Sequence, residues 1–202
     1  RMRTLAFACA VLGLAILLVA TVAGGLATPG YDHARQYISE LGATGAATGP
    51  AVSAAFIVSG ALQAVFWLLC IRLLPGSRLV AAGFALSALN GLGLLAGGVF
   101  PCDAGCSLST PSASAILHDV LGGLGYVCGV AGIVLVAMAW RTVPERRRLS
   151  GLALLCGMPG VMLIWMIHPG FELFGLAQRG LELAIGVWTL AVAFAVRRAP
   201  AG

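Results

Sequence analysis

The sequence predicts an all-α polytopic membrane protein, a bundle of six transmembrane helices with both termini cytoplasmic, and three observations carry that prediction. The first is composition: 60% of the 202 residues are hydrophobic, 9% are charged, and the mean hydropathy is +1.00, far outside the soluble range. The second is the recurrence of six apolar runs near the ~20 residues that a helix needs to cross hydrocarbon. The third is the arginines: Arg1, Arg3, Arg72, Arg78, Arg141, Arg146, Arg147, Arg148, Arg197 and Arg198 fall on one side of a six-span arrangement, and Arg35 and Arg179 on the other. Positively charged loops stay on the cytoplasmic side, and adding or removing one span would scatter the downstream arginines over both faces. The net charge of +5 therefore reflects topology, and a nucleic-acid partner is not expected. All twelve basic residues are Arg; together with abundant Ala, Gly, Val and Leu this fits a GC-rich bacterial genome and a bacterial cytoplasmic (inner) membrane.

The whole chain, 1–202, reads as one six-helix transmembrane domain. The first span, 4–27, is too long for the core of a signal peptide. Residues 28–49 form a polar loop with Tyr31, Asp32, His33, Arg35, Tyr37, Ser39 and Glu40. The second span, 51–74, ends at the turn Pro75-Gly76-Ser77-Arg78. The third, 79–100, carries Asn90 and the close-approach spacing Gly93/Gly97; the fourth, 113–140, repeats that spacing at Gly125/Gly129. The fifth, 149–167, stops at His168-Pro169-Gly170, because proline and glycine oppose continuation. The sixth, 177–196, carries Gln178, Arg179 and Glu182 in its first two turns.

This arrangement sorts the other ionisable groups. Asp32, Glu40, Asp103, Asp119, Glu172, Glu182 and all three histidines lie at the outer side, and only Glu145 lies inside, so the connections after the first, third and fifth spans (loops 1, 3 and 5) are expected to converge on one extracytoplasmic polar site. At its centre is the stretch Phe100 to Asp119, FPCDAGCSLSTPSASAILHD. Cys102 and Cys106, four residues apart in an oxidising compartment, are expected to form a disulfide. Catalytic zinc needs three N or O ligands and an open position for water; His118, His168 and Asp103 are the candidate metal ligands, with Asp119 and Glu172 as alternatives. Glu40, Asp119 and Ser114 are candidate catalytic groups. The plainer alternative makes His118 and Asp119 caps of helix 4 that bond to loop 1. Arg35, Ser39, Arg179 and Glu182 are candidate ligand-binding residues: the two outer arginines suit a phosphate or carboxylate clamp, or else Glu182 pairs with Arg179 or Arg35. Gln63 and Asn90 are expected to bond between helices, Cys9, Cys70, Cys128 and Cys156 to pack within the spans, and Trp140 to sit at the interface.

The segments YDHARQYISELGATG, FPCD followed by HD, and GLAQRGLELAIGVW resemble those of the six-span bacterial membrane proteins grouped as domain of unknown function 998. That resemblance implies six helices over nearly the whole chain and draws attention to Ser39, Glu40, Asp103, His118 and Arg179. A chemical analogy links Ser114-x-x-x-His118 to the alkaline ceramidase and adiponectin-receptor-like membrane hydrolases. Their second metal element is absent here, and they have seven spans. Three functions follow as expectations: a metal-assisted hydrolase, with zinc, acting on a lipid or lipid-linked substrate; a non-enzymatic protein that binds or moves a lipid or small amphiphile; and a b-type haem carrier using His118 and His168.

Overall fold

The computed structural model describes residues 1–198 and contains six long helices: α1 (Met2–Ala27), α2 (Gly49–Leu73), α3 (Arg78–Val99), α4 (Ala113–Trp140), α5 (Arg147–Met166) and α6 (Phe174–Arg198). Each is long and apolar enough to cross a membrane, and no strand occurs among the described residues. Helix is the form an apolar run takes in lipid, because each backbone N–H and C=O then finds its partner within the segment. The ends follow local chemistry. Ser77 and Ser112 stand just before α3 and α4, and their hydroxyls accept the N–H groups of Val80 and Ala115. Helix α5 runs through Pro159.

Helix α6 starts at Phe174, three residues earlier than the expected 177. Loop 1 explains the difference. The Leu176 N–H, in the first turn of α6, donates to Ala34 O at 3.0 Å, and Gly175 lies so close to the loop backbone that a Cβ there would meet Ala34 O at 2.9 Å. A donor that α6 cannot satisfy internally is thus satisfied by the loop lying across it.

Consecutive helices pack side by side in order, and α1 closes on α6, so the six form a ring. The expected close approach is present between α3 and α4: a Cβ on Gly93 would stand 2.8 Å from the Gly125 Cα. At the end carrying the ten arginines the interior is filled. Trp67 stacks on Phe84 (5.6 Å between centroids) and on Trp188 (6.5 Å), while Trp140 contacts both Phe84 and Trp188. Trp140 therefore belongs to the core, at 4% exposure, and the tryptophan on the outer surface is Trp165, at 79%. Cys9, Cys70 and Cys156 are buried as expected, and Cys128 is half-buried.

Candidate functional site

Loops 1, 3 and 5 meet at the opposite end, and hydrogen bonds join them. Loop 1 crosses the ring as a lid built on a short 3-10 turn, Ile38–Gly42. Glu40 closes that turn: one carboxylate oxygen accepts the Tyr37 N–H at 2.8 Å and the other accepts from the Gln36 amide at 2.7 Å. Thr44 N donates to Cys102 O at 2.9 Å, which ties the lid to loop 3. Cys102 and Cys106 are bonded as a disulfide. A bonded sulfur has no proton, so Ser39 Oγ donates to Cys106 Sγ at 3.3 Å. Arg35 binds Glu172 of loop 5 at 2.8 Å and Asp32 at 3.2 Å, both exposed. The Ala34 N–H and the Arg35 guanidinium hold the Asp32 carboxyl below its usual range. Burial, reinforced by the charges of Asp119 and Glu40, pushes the Tyr37 phenol up to about 12.

Beneath the lid lies a cavity of about 70 Å³, walled among others by Gln63, Asn90, His118, Tyr126, Gln178 and Glu182. Main-chain groups set the direction of its hydrogen bonds. Ile38 N donates to Gln178 Oε1 at 2.8 Å, so the other end of that amide is the donor, to Tyr126 Oη at 3.1 Å. The tyrosine hydroxyl then gives its proton to Glu182 Oε1 at 2.7 Å. On α2, Ser59 spends its proton on Gly13 O of α1, so it accepts from Gln63 Nε2. Asn90 Nδ2 donates across the helix interface to Gly125 O at 3.2 Å. Of the two residues expected to bond between helices, Asn90 does so, while Gln63 bonds within its own helix and buttresses Ser59, which makes the bond to α1.

His118 Nδ1 faces two carbonyls, Phe100 O at 2.9 Å and Gly97 O at 3.2 Å. Carbonyls only accept, so in the neutral ring the proton sits on Nδ1 and Nε2 is the acceptor. The reason is local: the residue four beyond Gly97 is Pro101, which has no N–H, and the imidazole supplies the missing donor. Ser114 Oγ grips the same corner, donating to Pro101 O at 2.8 Å. Asp103 is engaged nearby, accepting the Ser112 N–H at 2.7 Å and hydroxyl at 2.8 Å, which hold its carboxyl below the usual range. Of the candidate catalytic groups, Glu40 and Ser114 thus have structural partners. Asp119 is exposed, with no hydrogen bond or ion pair among the described residues.

A cleft of about 310 Å³ opens from the cavity toward the loop end; Ser39, His118, Tyr126 and Gln178 line both spaces, and Asp119 and His168 line the cleft. His118 and His168 thus share a cleft, but the set His118, His168, Asp103 does not fit a metal. Asp103 is committed to loop 3. His168 Nδ1 accepts the Gly170 N–H at 3.0 Å, which places the neutral ring's proton on Nε2 and leaves no free lone pair for zinc or haem iron. No three His, Cys, Asp or Glu among the described residues are placed to hold a metal ion.

The expected pairing of Glu182 with an arginine is replaced by its bond to Tyr126. Arg179 turns the other way: Nη1 donates to Gln36 O and Gly175 O, each at 3.0 Å, and Nη2 to Tyr31 Oη at 2.6 Å. Arg35 is thus held by two carboxylates, while Arg179 is bonded only to neutral groups and its buried Nε has no partner among the described residues. Glu182 has a second exposure. It and Arg179 border a groove of about 400 Å³ between α1 and α6, lined otherwise mainly by Leu14, Leu18, Leu183, Val187 and Leu190. The residues missing from the expected site are Tyr126 and Gln178. A lone tyrosine in the apolar span of α4 was the available signal, since a buried hydroxyl requires a partner.

The chain matches, over residues 11–195, the family described as protein of unknown function DUF998. It belongs to that family. No curated protein and no solved structure matches it.

Proposed function

We propose that this member of the family is a membrane-embedded binding protein for an amphiphile, taking the polar end of its ligand into the cavity under loop 1 and the apolar chain into the groove between α1 and α6. The observation that carries this reading is the position of Glu182: its side chain borders both the polar cavity and the lipid-side groove. Leu17 and Ile38 also line both spaces, so the two are separated by no more than these side chains and Glu182. An ionisable group at that depth is costly and needs a reason to be there. A ligand that lies partly in hydrocarbon and partly in a polar pocket supplies one. The arginine asymmetry orients the loop end away from the cytoplasm, so the ligand enters from the outer leaflet.

This is the binding alternative rather than the metal-assisted hydrolase, because two of the three donors expected to hold zinc, Asp103 and His168, are engaged by Ser112 and by the Gly170 N–H. The test is Gly186→Leu. Gly186 lines the groove, and a Cβ there would stand 3.6 Å from Leu14, an ordinary contact, so the new side chain fills the groove without disturbing the backbone. Amphiphile retained by the purified wild-type protein in native mass spectrometry is expected to be lost in the variant. Equal retention by a correctly folded variant would remove the groove from the mechanism.

A further inference from the structure

The cavity contains an excess of unused acceptors. Four follow from the hydrogen bonds already assigned: Gln63 Oε1, because Nε2 must face Ser59; Asn90 Oδ1, because Nδ2 must face Gly125 O; His118 Nε2, because Nδ1 holds the proton; and Glu182 Oε2, because Oε1 receives Tyr126. None has a hydrogen-bond partner among the described residues, and all four side chains line the same space. Gln63 is only 3% exposed, so its free oxygen has nowhere to turn except the cavity. Against these four, the tyrosine proton is spent on Glu182.

Charge points the same way. Glu182 lies on the wall and Asp119 at the cleft. The chain has no lysine. Arg35 is paired with Asp32 and Glu172, and Arg179 donates to Gln36 O, Gly175 O and Tyr31 with its Nε left unpartnered, but neither arginine lines the cavity. A phosphate or carboxylate in the cavity would therefore meet the Glu182 carboxyl and four lone pairs, with no cation on the wall among the described residues. A group carrying one positive charge and several N–H donors matches the four unused acceptors and the carboxyl. A primary ammonium has three such donors and no acceptor, and it is small enough for a space of about 70 Å³.

We propose that the cavity is a primary-ammonium site, and that the ligand is an amphiphile with an aminoalkyl headgroup. This rests on the amphiphile reading and narrows it. Each wall amide keeps a second N–H, so a neutral hydroxyl is the competing headgroup, and free alkylammonium in water is the competing source.

The test uses the full chain in phosphatidylcholine nanodiscs, with empty nanodiscs as the blank, titrated calorimetrically with four probes: dodecylamine, protonated at neutral pH; dodecanol; dodecanoate; and chain-free ethylammonium. The expected result is saturable dodecylammonium binding at least about tenfold tighter than each of the others. Glu182→Gln, which keeps the size of the side chain and its bond from Tyr126, should weaken that binding by about ten- to a hundredfold, the worth of a charge-assisted hydrogen bond. Dodecanol or dodecanoate binding as tightly as dodecylammonium would overturn the ammonium site while leaving an amphiphile site in place. Ethylammonium binding as tightly as dodecylammonium would overturn the lipid source and retain the ammonium chemistry. If no dodecyl probe binds, both readings fall. An unchanged affinity in folded Glu182→Gln would overturn the assignment of Glu182.

Discussion

The two halves of the bundle are built from the same six helices and solve opposite problems. At the arginine-rich end, Trp67, Phe84, Trp140 and Trp188 close the ring with rings of their own, and Arg146 lies 5.3 Å over the Trp140 ring. At the loop end the helices surround a space, and amides, a phenol, an imidazole and a carboxyl face it beside Leu17, Phe56 and Leu94. Large side chains fill a volume when their shapes interlock. Polar ones keep it open when each is held by a hydrogen bond to a neighbour, backbone or side chain, because turning inward would break that bond. The comparison teaches that the plugged half carries the assembly and the hollow half carries the chemistry.

The largest effect should come from breaking the plug. Trp188 is fully buried in contact with two other tryptophans, so Trp188→Ala should cost about 3–5 kcal/mol of stability, the usual range for removing a buried Trp. Thermal unfolding in detergent checks this. A cost below about 1 kcal/mol would show that the plug does not hold the ring.

A smaller effect should follow in the hollow half. Gln178→Leu removes the partner of Ile38 N and the donor to Tyr126, leaving a buried backbone N–H unsatisfied at about 1–3 kcal/mol. That loss should appear as faster hydrogen exchange across Tyr37–Gly42, with little change in the plug. Protection lost equally in both halves would mean that they do not behave separately.

The smallest effects concern pH and are confined to the loops. Tyr37 has its folded value raised to about 12, so its contribution to lid stability is complete below the ordinary tyrosine value of about 10 and is lost as pH rises from there through about 12. Ultraviolet titration should show this phenol ionising after an exposed tyrosine would. Asp103 has the opposite sign: its lowered value means that the Ser112 clip is complete above the ordinary carboxylate range and is released as pH falls through the depressed one. Asp103→Asn should remove that acid transition from hydrogen exchange in loop 3. Neither titration should disturb the aromatic plug, which contains no ionisable side chain.

Much of this architecture was legible in the residues. The six expected spans differ from the observed helices by no more than three residues at any end, and 113–140 coincides with α4. The convergence of loops 1, 3 and 5 was legible too, since an odd-numbered connection always returns to the same side. The partners were not. Glu182 stands three residues from Arg179, a spacing that predicts a salt bridge, yet Arg179 answers loop 1 and Glu182 answers α4. His118 was read as a candidate metal ligand, and nothing in the residues showed that its Nδ1 would replace the N–H that Pro101 lacks. Trp140, next to Arg141, had the sequence of an interfacial anchor and is in the core.

The division has a physical basis. A helix in lipid satisfies its hydrogen bonds within one segment, so an apolar run of sufficient length determines that a span exists, roughly where it ends and, through the arginines, which ends share a side. Which groups meet inside depends on how far each helix is rotated about its own axis, and one residue of difference turns a side chain through about 100°. That rotation is decided by packing between helices, by Gly93 against Gly125 and by tryptophan against tryptophan. Only the closed ring could therefore place Gln63, Asn90, His118 and Glu182 around one space.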